Sequence, residues 1–297
     1  MSEDEARVST RKRVTVPKTY KLYVGGSFAR SESGRVVAVA DADGTFRANA
    51  AKASRKDLRD AVAAARKAFD GWSGASAHNR GQVLFRVAEM LEGTRDRFTS
   101  EVAATEGLSA TEAERAVDTA VDRMFWYAGW TDKLGVLRGG VGQVAGPYTV
   151  HSTPEPVGVV GVVAPRRSSL LGLVSVLAPV LAAGNSAVVL VDAELAVPAV
   201  SLCEALATSD VPGGVVNVLT GDPAELVSRL ASHSDVDALD PSGADESLRG
   251  ELEETAAGSV KRVLDAPLVE PDWNTAPGTG RLRAFTELKT VWHPLGE

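Results

Sequence analysis

The spacing of hydrophobic residues changes about half-way along the chain. In the first half, apolar residues recur at helical intervals after Ser54, which is followed three residues later by Asp57 in the arrangement of a capping box. Earlier, Lys21–Arg30 has the pattern of two short strands joined by a Gly-Gly turn. The first half is therefore predicted to be mainly helical with a few strands. The helices are predicted at about residues 54–72, 77–104 and 109–134.

After Tyr148 the pattern changes to a regular alternation of strand and helix. Crossovers of this length predict a parallel sheet covered on both faces, and five such strands predict an α/β fold of the Rossmann-like, doubly wound type with a helical N-terminal lead-in. The predicted strands are 157–164, 186–191, 214–219, 236–239 and 260–264, and the predicted helices are 170–183, 194–207, 223–232 and 246–257.

The most apolar stretch, Leu170–Val191, is long enough to raise the question of a membrane span. Pro179 and the pair Gly184–Asn185 interrupt it, so a buried helix followed by a buried strand is the better interpretation. The formal net charge is -7, from 32 Lys and Arg against 39 Asp and Glu. That balance argues against a nucleic-acid or anionic membrane partner. We expect a soluble acidic protein.

Residue types that carry chemistry are sparse. Cys203 is the only cysteine, which excludes an intramolecular disulfide and fits a cytoplasmic protein. It lies within a predicted helix, where a buried core thiol is favoured over a nucleophile. The four histidines are too scattered to predict a metal site. Residues 1–18 are polar, without the apolar segment of a signal peptide, and are predicted to form a disordered arm.

Seven segments, taken in order, resemble the aldehyde dehydrogenase family. The resemblance implies an NAD(P)-binding Rossmann-like domain, a catalytic domain with a nucleophilic cysteine, and an arm of strands that joins protomers. The segments are LYVGGSF, AVAAARKAFDGWS, FWYAGWTDKL, EPVGVVGVVAP, LAPVLAAGNSAVVL, VPGGVVNVLTGD and FTELKTVWHPLG.

The resemblance also divides the chain. About twenty residues between Val263 and Leu282 stand where the family has a whole domain, on the order of 100 to 200 residues. An internal deletion of the catalytic domain is the expectation. The resulting units are 19–139 (N-terminal strands and helices), 140–156 (oligomerisation strands), 157–264 (the Rossmann-like core), 265–281 (a linker) and 282–297 (a C-terminal oligomerisation strand).

The residues that the family uses for catalysis are not matched. Arg167 stands where the resemblance puts the asparagine that holds the oxyanion, and its bulk would fill the space of a substrate carbonyl. The family's cysteine would lie in the absent domain. Asp265 is within one residue of the general-base glutamate, but without a thioester it has nothing to hydrolyse. No catalytic residue is assigned.

Cofactor contacts are matched only in part. Val191–Asp192 replaces the Lys-Pro pair that binds the adenosine ribose, whereas Glu194 keeps an acidic position that can meet a ribose hydroxyl. Gly243 keeps one glycine of the phosphate turn, but Asp245 and Glu246 follow it and would repel a phosphate. The expectation is therefore no cofactor, or weak NAD(P) binding through Arg167, Glu194 and Gly243.

Two functions remain open at this stage. One is a non-catalytic homologue that binds a full-length aldehyde dehydrogenase as a structural or regulatory subunit of a hetero-oligomer, through a terminal edge strand at Ala284–His293. The other is a free-standing nucleotide-binding module or a residual NAD(P)-dependent aldehyde oxidoreductase, with Arg166 and Arg167 as anion ligands. The expected interface residues of the first hypothesis are Phe285, Leu288, Thr290 and Trp292.

Overall fold

The structure is a computed structural model that describes residues 16–295, so most of the predicted N-terminal arm lies outside the described residues. The first part of the chain consists of short strands followed by a helical layer. The strands are β1 (Thr19–Tyr20), β2 (Leu22–Val24), β3 (Ser27–Ala29), β4 (Val36–Ala40) and β5 (Phe46–Ala51). The helices are α1 (Arg55–Gly74), α2 (Ala77–Gly93), α3 (Arg95–Glu106), α4 (Ala110–Ala128) and α5 (Leu134–Arg138).

The helical layer follows the sequence pattern with two breaks. The helix predicted over 109–134 ends at Ala128, because the chain turns at Gly129 before α5. α1 begins at the predicted capping box, in which the Ser54 hydroxyl accepts from the Asp57 amide and the Asp57 carboxylate accepts from the Ser54 amide. The single helix predicted over 77–104 is wrong, because the chain leaves helical geometry at Thr94 and restarts as α3. Gly93 weakens the helix there, and the Thr94 hydroxyl donates back to the Met90 carbonyl at 2.7 Å.

The second part of the chain alternates strand and helix as predicted. Two arm strands precede it, and a short helix and a long strand follow it. The elements in order are β6 (Gly140–Gly142), β7 (Tyr148–Pro156), β8 (Val159–Val163), α6 (Leu171–Ala182), β9 (Ser186–Asp192), α7 (Ala196–Ala207), β10 (Val216–Gly221), α8 (Val227–Ser232), β11 (Ala238–Asp240), α9 (Glu246–Ala257), β12 (Arg262–Val263), α10 (Gly280–Ala284) and β13 (Thr286–Pro294).

The central sheet has seven strands in the order β12-β11-β8-β9-β10-β2-β3. The five from β8 to β12 are parallel, and β2 and β3 extend the sheet as an antiparallel hairpin. This arrangement confirms the doubly wound α/β fold. The strand order reverses between β8 and β11, so a crevice opens at their carboxyl ends, which is where folds of this type bind ligands.

The apolar stretch 170–191 forms the centre of the core. Every residue of α6 is buried, which explains a helix that is hydrophobic on all sides. Gly184 adopts φ +92 at the turn into β9, a conformation that favours glycine. Within residues 16–295, no helix is both long and apolar enough to cross a membrane.

A second sheet, here called the arm sheet, consists of β13, β7 and β6 in that order. β13 pairs antiparallel with β7 of the same chain, from Thr286 opposite Pro156 to Pro294 opposite Tyr148. Thus one edge of the C-terminal strand is already used within the chain, and only its other edge is left for a partner. Phe285, expected at an interface, is instead 0% exposed in the chain's own core, because it precedes the strand and packs inward.

Candidate functional site

The crevice at the switch point is closed where β8 and β11 end. The Gly243 amide donates to the Val163 carbonyl at 3.0 Å, and Gly243 is buried against the end of β8. A Cβ at this position would lie 1.8 Å from the Ala164 carbonyl oxygen, so only glycine fits. The predicted phosphate-turn glycine therefore serves close packing of two backbones.

Asp240, the last residue of β11, is fully buried in this crevice. Its carboxylate accepts from the amide of Ser242 at 3.0 Å and forms an ion pair with the Arg281 guanidinium. The same guanidinium donates to the Ser242 hydroxyl at 2.7 Å, and it lies 5.5 Å from the ring centroid of Trp273. Arg281 and Trp273 both belong to residues 265–281, here called the linker strap. The strap is thus anchored to the end of a central strand.

A second anchor of the linker strap is the carboxylate of Glu270. It accepts hydrogen bonds from the backbone amides of Arg166 and Arg167, the latter at 3.2 Å and 3.3 Å to its two oxygens. The indole nitrogen of Trp273 donates to it at 3.3 Å. The loop that follows the first parallel strand therefore has its outward amides satisfied by this chain's own carboxylate.

Between these anchors the linker strap lies along α4. Arg123 is buried and donates to the Thr275 carbonyl at 2.6 Å and to the Ser175 hydroxyl at 2.7 Å. The Tyr127 hydroxyl donates to the Gly278 carbonyl at 3.4 Å. The strap is consequently held by polar contacts along its length as well as at its two anchors.

The three residues expected to contact a cofactor are not brought to one place. Arg167 is exposed and lines a pocket between α4 and the strap, whereas Gly243 lines a different pocket beside α9. Glu194 is exposed on a single 3-10 turn, and its amide donates to the Asp192 carboxylate at 3.2 Å. The other oxygen of Asp192 pairs with Arg166 at 3.0 Å. The Asp192 carboxylate is thus satisfied by local contacts, with the amide of Glu194 and the guanidinium of Arg166.

The residues beside α9 fit a dinucleotide poorly. The pocket there has a volume of about 200 Å³, which is small for a ligand of the size of a dinucleotide. It is lined by three acidic residues, Asp222, Asp245 and Glu251, and by one basic residue, Arg166. The Asp245 carboxylate already accepts from the Leu248 amide at 2.9 Å and so occupies the helix N-terminus that would receive a phosphate. Like charges would repel the pyrophosphate of NAD(P).

Cys203 and Asp265 are not placed to act as a nucleophile and a base at the crevice. Cys203 is 0% exposed, and its thiol donates to the Ala199 carbonyl at 3.2 Å. Burial raises the pKa of this thiol, so the reactive thiolate is disfavoured. The predicted core role of Cys203 is confirmed. The Asp265 carboxylate points into solvent, 3.5 Å from the guanidinium of Arg249. Residues 16–295 contain no cluster of three or more metal-ligating side chains.

Sequence reasoning missed one further acidic group near this loop. Glu106, at the end of α3, accepts from the Ser169 amide at 2.7 Å and from its hydroxyl. Burial raises the pKa of the Glu106 carboxyl, and the negative charge of Glu270 raises it further. Two carboxylates thus accept hydrogen bonds from this loop, Glu270 from its first residues and Glu106 from Ser169. Nothing in the local sequence around Glu106 signals this contact.

The aldehyde dehydrogenase family model matches residues 28–264. The chain belongs to the aldehyde dehydrogenase family. It is 30% identical over 257 residues to the mouse cytosolic 10-formyltetrahydrofolate dehydrogenase, covering 85% of this chain and 28% of that protein. It is also 30% identical over 247 residues to the mitochondrial benzaldehyde dehydrogenase of Antirrhinum majus, covering 82% of this chain and 46% of the relative. The chain therefore spans less than half the length of these relatives.

Solved structures agree with this assignment. An NAD-dependent aldehyde dehydrogenase from Sinorhizobium meliloti matches with a TM-score of 0.76 at 25% identity, over 84% of this chain and 50% of that one. A betaine aldehyde dehydrogenase from Staphylococcus aureus, solved in complex with NAD+, matches with a TM-score of 0.77 at 22% identity, over 82% and 48%. The predicted resemblance is thereby confirmed for family and fold.

Replacing Glu270 by glutamine is expected to loosen the linker strap. The neutral amide is a weaker acceptor for two backbone amides, and we expect a loss of about 1 kcal/mol in the free energy of unfolding, with faster protease cleavage near the exposed Leu268 and Val269. Limited proteolysis and urea denaturation measure the two effects. Glu254→Gln, which removes an exposed carboxylate from α9, is the control. Equal cleavage rates in both variants would contradict the anchor.

Proposed function

We propose that this chain is a non-catalytic member of the aldehyde dehydrogenase family that acts as a structural or regulatory subunit bound to a full-length family member. One observation carries the proposal. The chain's own linker strap occupies the polar groups of the switch-point crevice. Its Glu270 accepts from the amides of Arg166 and Arg167, and its Arg281 pairs with the carboxylate of Asp240. A crevice filled in this way favours a role that does not depend on turnover.

The arm sheet supports assembly as that role. Leu288 is 47% exposed and Trp292 is 57% exposed, and both lie on the same face of β13. Trp292 packs edge-on against Tyr148 with 6.0 Å between ring centroids, while Thr290 between them bonds to Ser152 at 2.9 Å. Hydrogen bonds across the strands hold the sheet in place, and its apolar face remains uncovered within the described residues. An exposed apolar sheet face with a free edge is suited to a protein partner.

A full-length relative is the partner that we favour over a second copy of this chain. The strand that follows the linker strap is paired to β7, but its outer edge needs a receiving strand. In the resembling family the catalytic domain supplies a receiving sheet, and this chain has only residues 265–281 at that point. Two copies would therefore offer arms without receivers. We place the complex in the cytoplasm.

Co-expression tests the proposal directly. The chain is produced together with a full-length aldehyde dehydrogenase of the same host, and native mass spectrometry is used to measure the masses of the purified species. A hetero-oligomer of defined stoichiometry is the expected result. A chain that stays monomeric, or associates only with itself, beside every full-length relative of its host would sink the subunit role.

A free-standing nucleotide-binding module, or a residual NAD(P)-dependent aldehyde oxidoreductase, is the second candidate. Its support is the doubly wound sheet and the likeness to a betaine aldehyde dehydrogenase solved with NAD+. The charge of the pocket beside α9 weighs against it. Strong dinucleotide binding by the chain alone would favour this second function.

We expect NAD to bind with a dissociation constant well above the micromolar range. The cause is repulsion of the pyrophosphate by the carboxylates that line the pocket beside α9. Asp245→Ser removes one of those charges while keeping a residue that caps the helix, so it should tighten NAD binding about threefold or more. Isothermal titration calorimetry measures both proteins, with Glu254→Gln as the control. Micromolar affinity in the unmodified chain would contradict the expectation.

A further inference from the structure

A basic pocket lies beside a third sheet, of three strands in the order β1-β5-β4, apart from the switch-point crevice. It has a volume of about 240 Å³ and is bordered by β1, β4, β5 and the turn after β3. Three cationic side chains line it, those of Lys21, Arg30 and Arg35, and no acidic residue does. In a chain with a net charge of -7, such a concentration of positive charge is a distinct local feature.

No acidic side chain in the described part of the chain forms an ion pair within 4.0 Å with any of the three cations. The nearby acids are engaged elsewhere: Glu32 approaches Lys56 at 3.9 Å, and the buried Asp57 accepts from the amides of Ser54 and Glu32 and from the Ser31 hydroxyl. The pocket therefore keeps its positive charge for an external anion.

We propose that this basic pocket binds the phosphoryl group of a small molecule. Two guanidinium groups can each present two N–H donors to phosphate oxygens, and the Lys21 ammonium adds a third charge, so a dianion is matched better than a monocarboxylate. Gly34 adopts φ +67, and a Cβ built on it would meet nothing within 4 Å, so the backbone leaves open space beside the arginines. Phosphate fits the charge and the space.

The remaining walls indicate what carries the phosphate. Val36, which is 52% exposed, and Ala51 give one side of the pocket an apolar surface that inorganic phosphate alone does not need. The small volume favours a compact phosphate monoester over an acidic peptide. A three- to five-carbon phosphorylated metabolite is the ligand class. This inference does not rest on the proposed subunit function, because it needs neither a partner nor a filled crevice.

Calorimetric titration of the full chain at low ionic strength tests the proposal. The probes are glycerol 3-phosphate, inorganic phosphate and, as a neutral comparison, glycerol. We expect glycerol 3-phosphate to bind more tightly than phosphate, glycerol not to bind, and added salt to weaken binding because the cations are exposed. Equal affinity for phosphate and glycerol 3-phosphate would contradict the assignment of a phosphate monoester as the ligand. Absence of binding by both would contradict the phosphoryl site itself.

Variants separate a specific site from general charge. Arg30→Gln and Arg35→Gln should each weaken glycerol 3-phosphate binding about tenfold. The matched control is Arg229→Gln, which removes the same charge from an exposed position on α8. Melting temperatures verify that the variants are folded, as expected for exposed side chains. An equal loss in Arg229→Gln, unchanged binding in both pocket variants, or tight binding of a poly-glutamate peptide without phosphate binding would overturn the proposal.

Discussion

The purified chain is expected to reduce neither NAD nor NADP when an aldehyde is added. Aldehyde oxidation through a thioester needs a thiolate within reach of the carbonyl and donors placed for the oxyanion. The only thiol, that of Cys203, is fully buried inside α7, and burial raises its pKa. The amides of Arg166 and Arg167, which could serve as donors, are already occupied by Glu270. Each requirement fails for a separate reason.

The measurement is the increase in absorbance of reduced cofactor with several aldehydes, at protein concentrations high enough to detect about one turnover per hour. A full-length relative in the same assay is the positive control. Cys203→Ala is the informative variant, since the prediction requires that it change nothing. Turnover in the unmodified chain that disappears in Cys203→Ala would mean that α7 opens to expose the thiol, and the non-catalytic proposal would then be wrong.

The sequence was most informative where burial decides the structure. The pattern predicts α6 within one residue at each end, because a long apolar run ended by Gly184 must be buried. It also predicts the mostly exposed α9 at its observed bounds. The hairpin of β4 and β5 was not predicted. Its strands are rich in alanine and half-exposed, so their alternation is weak, although the Asp43–Gly44 pair at the turn is a recognised hairpin signal.

The candidate site could be predicted only as far as the family pattern reached. That pattern identified Arg167 as an altered position and Gly243 as a retained one, but it gave no information on what replaces the missing functions. What occupies the altered site depends on contacts between residues that are distant in sequence. Glu270 and Arg166 are 104 positions apart, and Arg281 and Asp240 are 41 positions apart. A linker without regular periodicity gives no signal of where its side chains will lie. Such contacts follow from the path of the strap in three dimensions.

The two aromatic residues of the C-terminal segment are expected to give opposite results. Phe285 is 0% exposed, so Phe285→Ala should cost about 3 to 5 kcal/mol in the free energy of unfolding. Truncation after Arg283 would remove the same side chain, as well as the carbonyl that the buried Asn185 side chain bonds at 2.9 Å. Such a truncation cannot distinguish loss of a partner from loss of the fold, and Trp292 is the better probe.

Trp292→Ala is expected to release the partner and leave the chain folded. The side chain is 57% exposed at the end of β13. Its ring contacts the ring of Tyr148 at the edge of the arm sheet. As a buried anchor of the hetero-oligomer, Trp292 should contribute about 2 kcal/mol or more to the free energy of binding. The variant should therefore elute from size-exclusion chromatography separately from the full-length subunit. Its melting temperature should be unchanged. Phe46→Ala, which truncates a 51% exposed aromatic residue on β5, is the matched control and should stay bound. If the Trp292→Ala complex elutes intact, or Phe46→Ala dissociates equally, the arm sheet is not the contact surface.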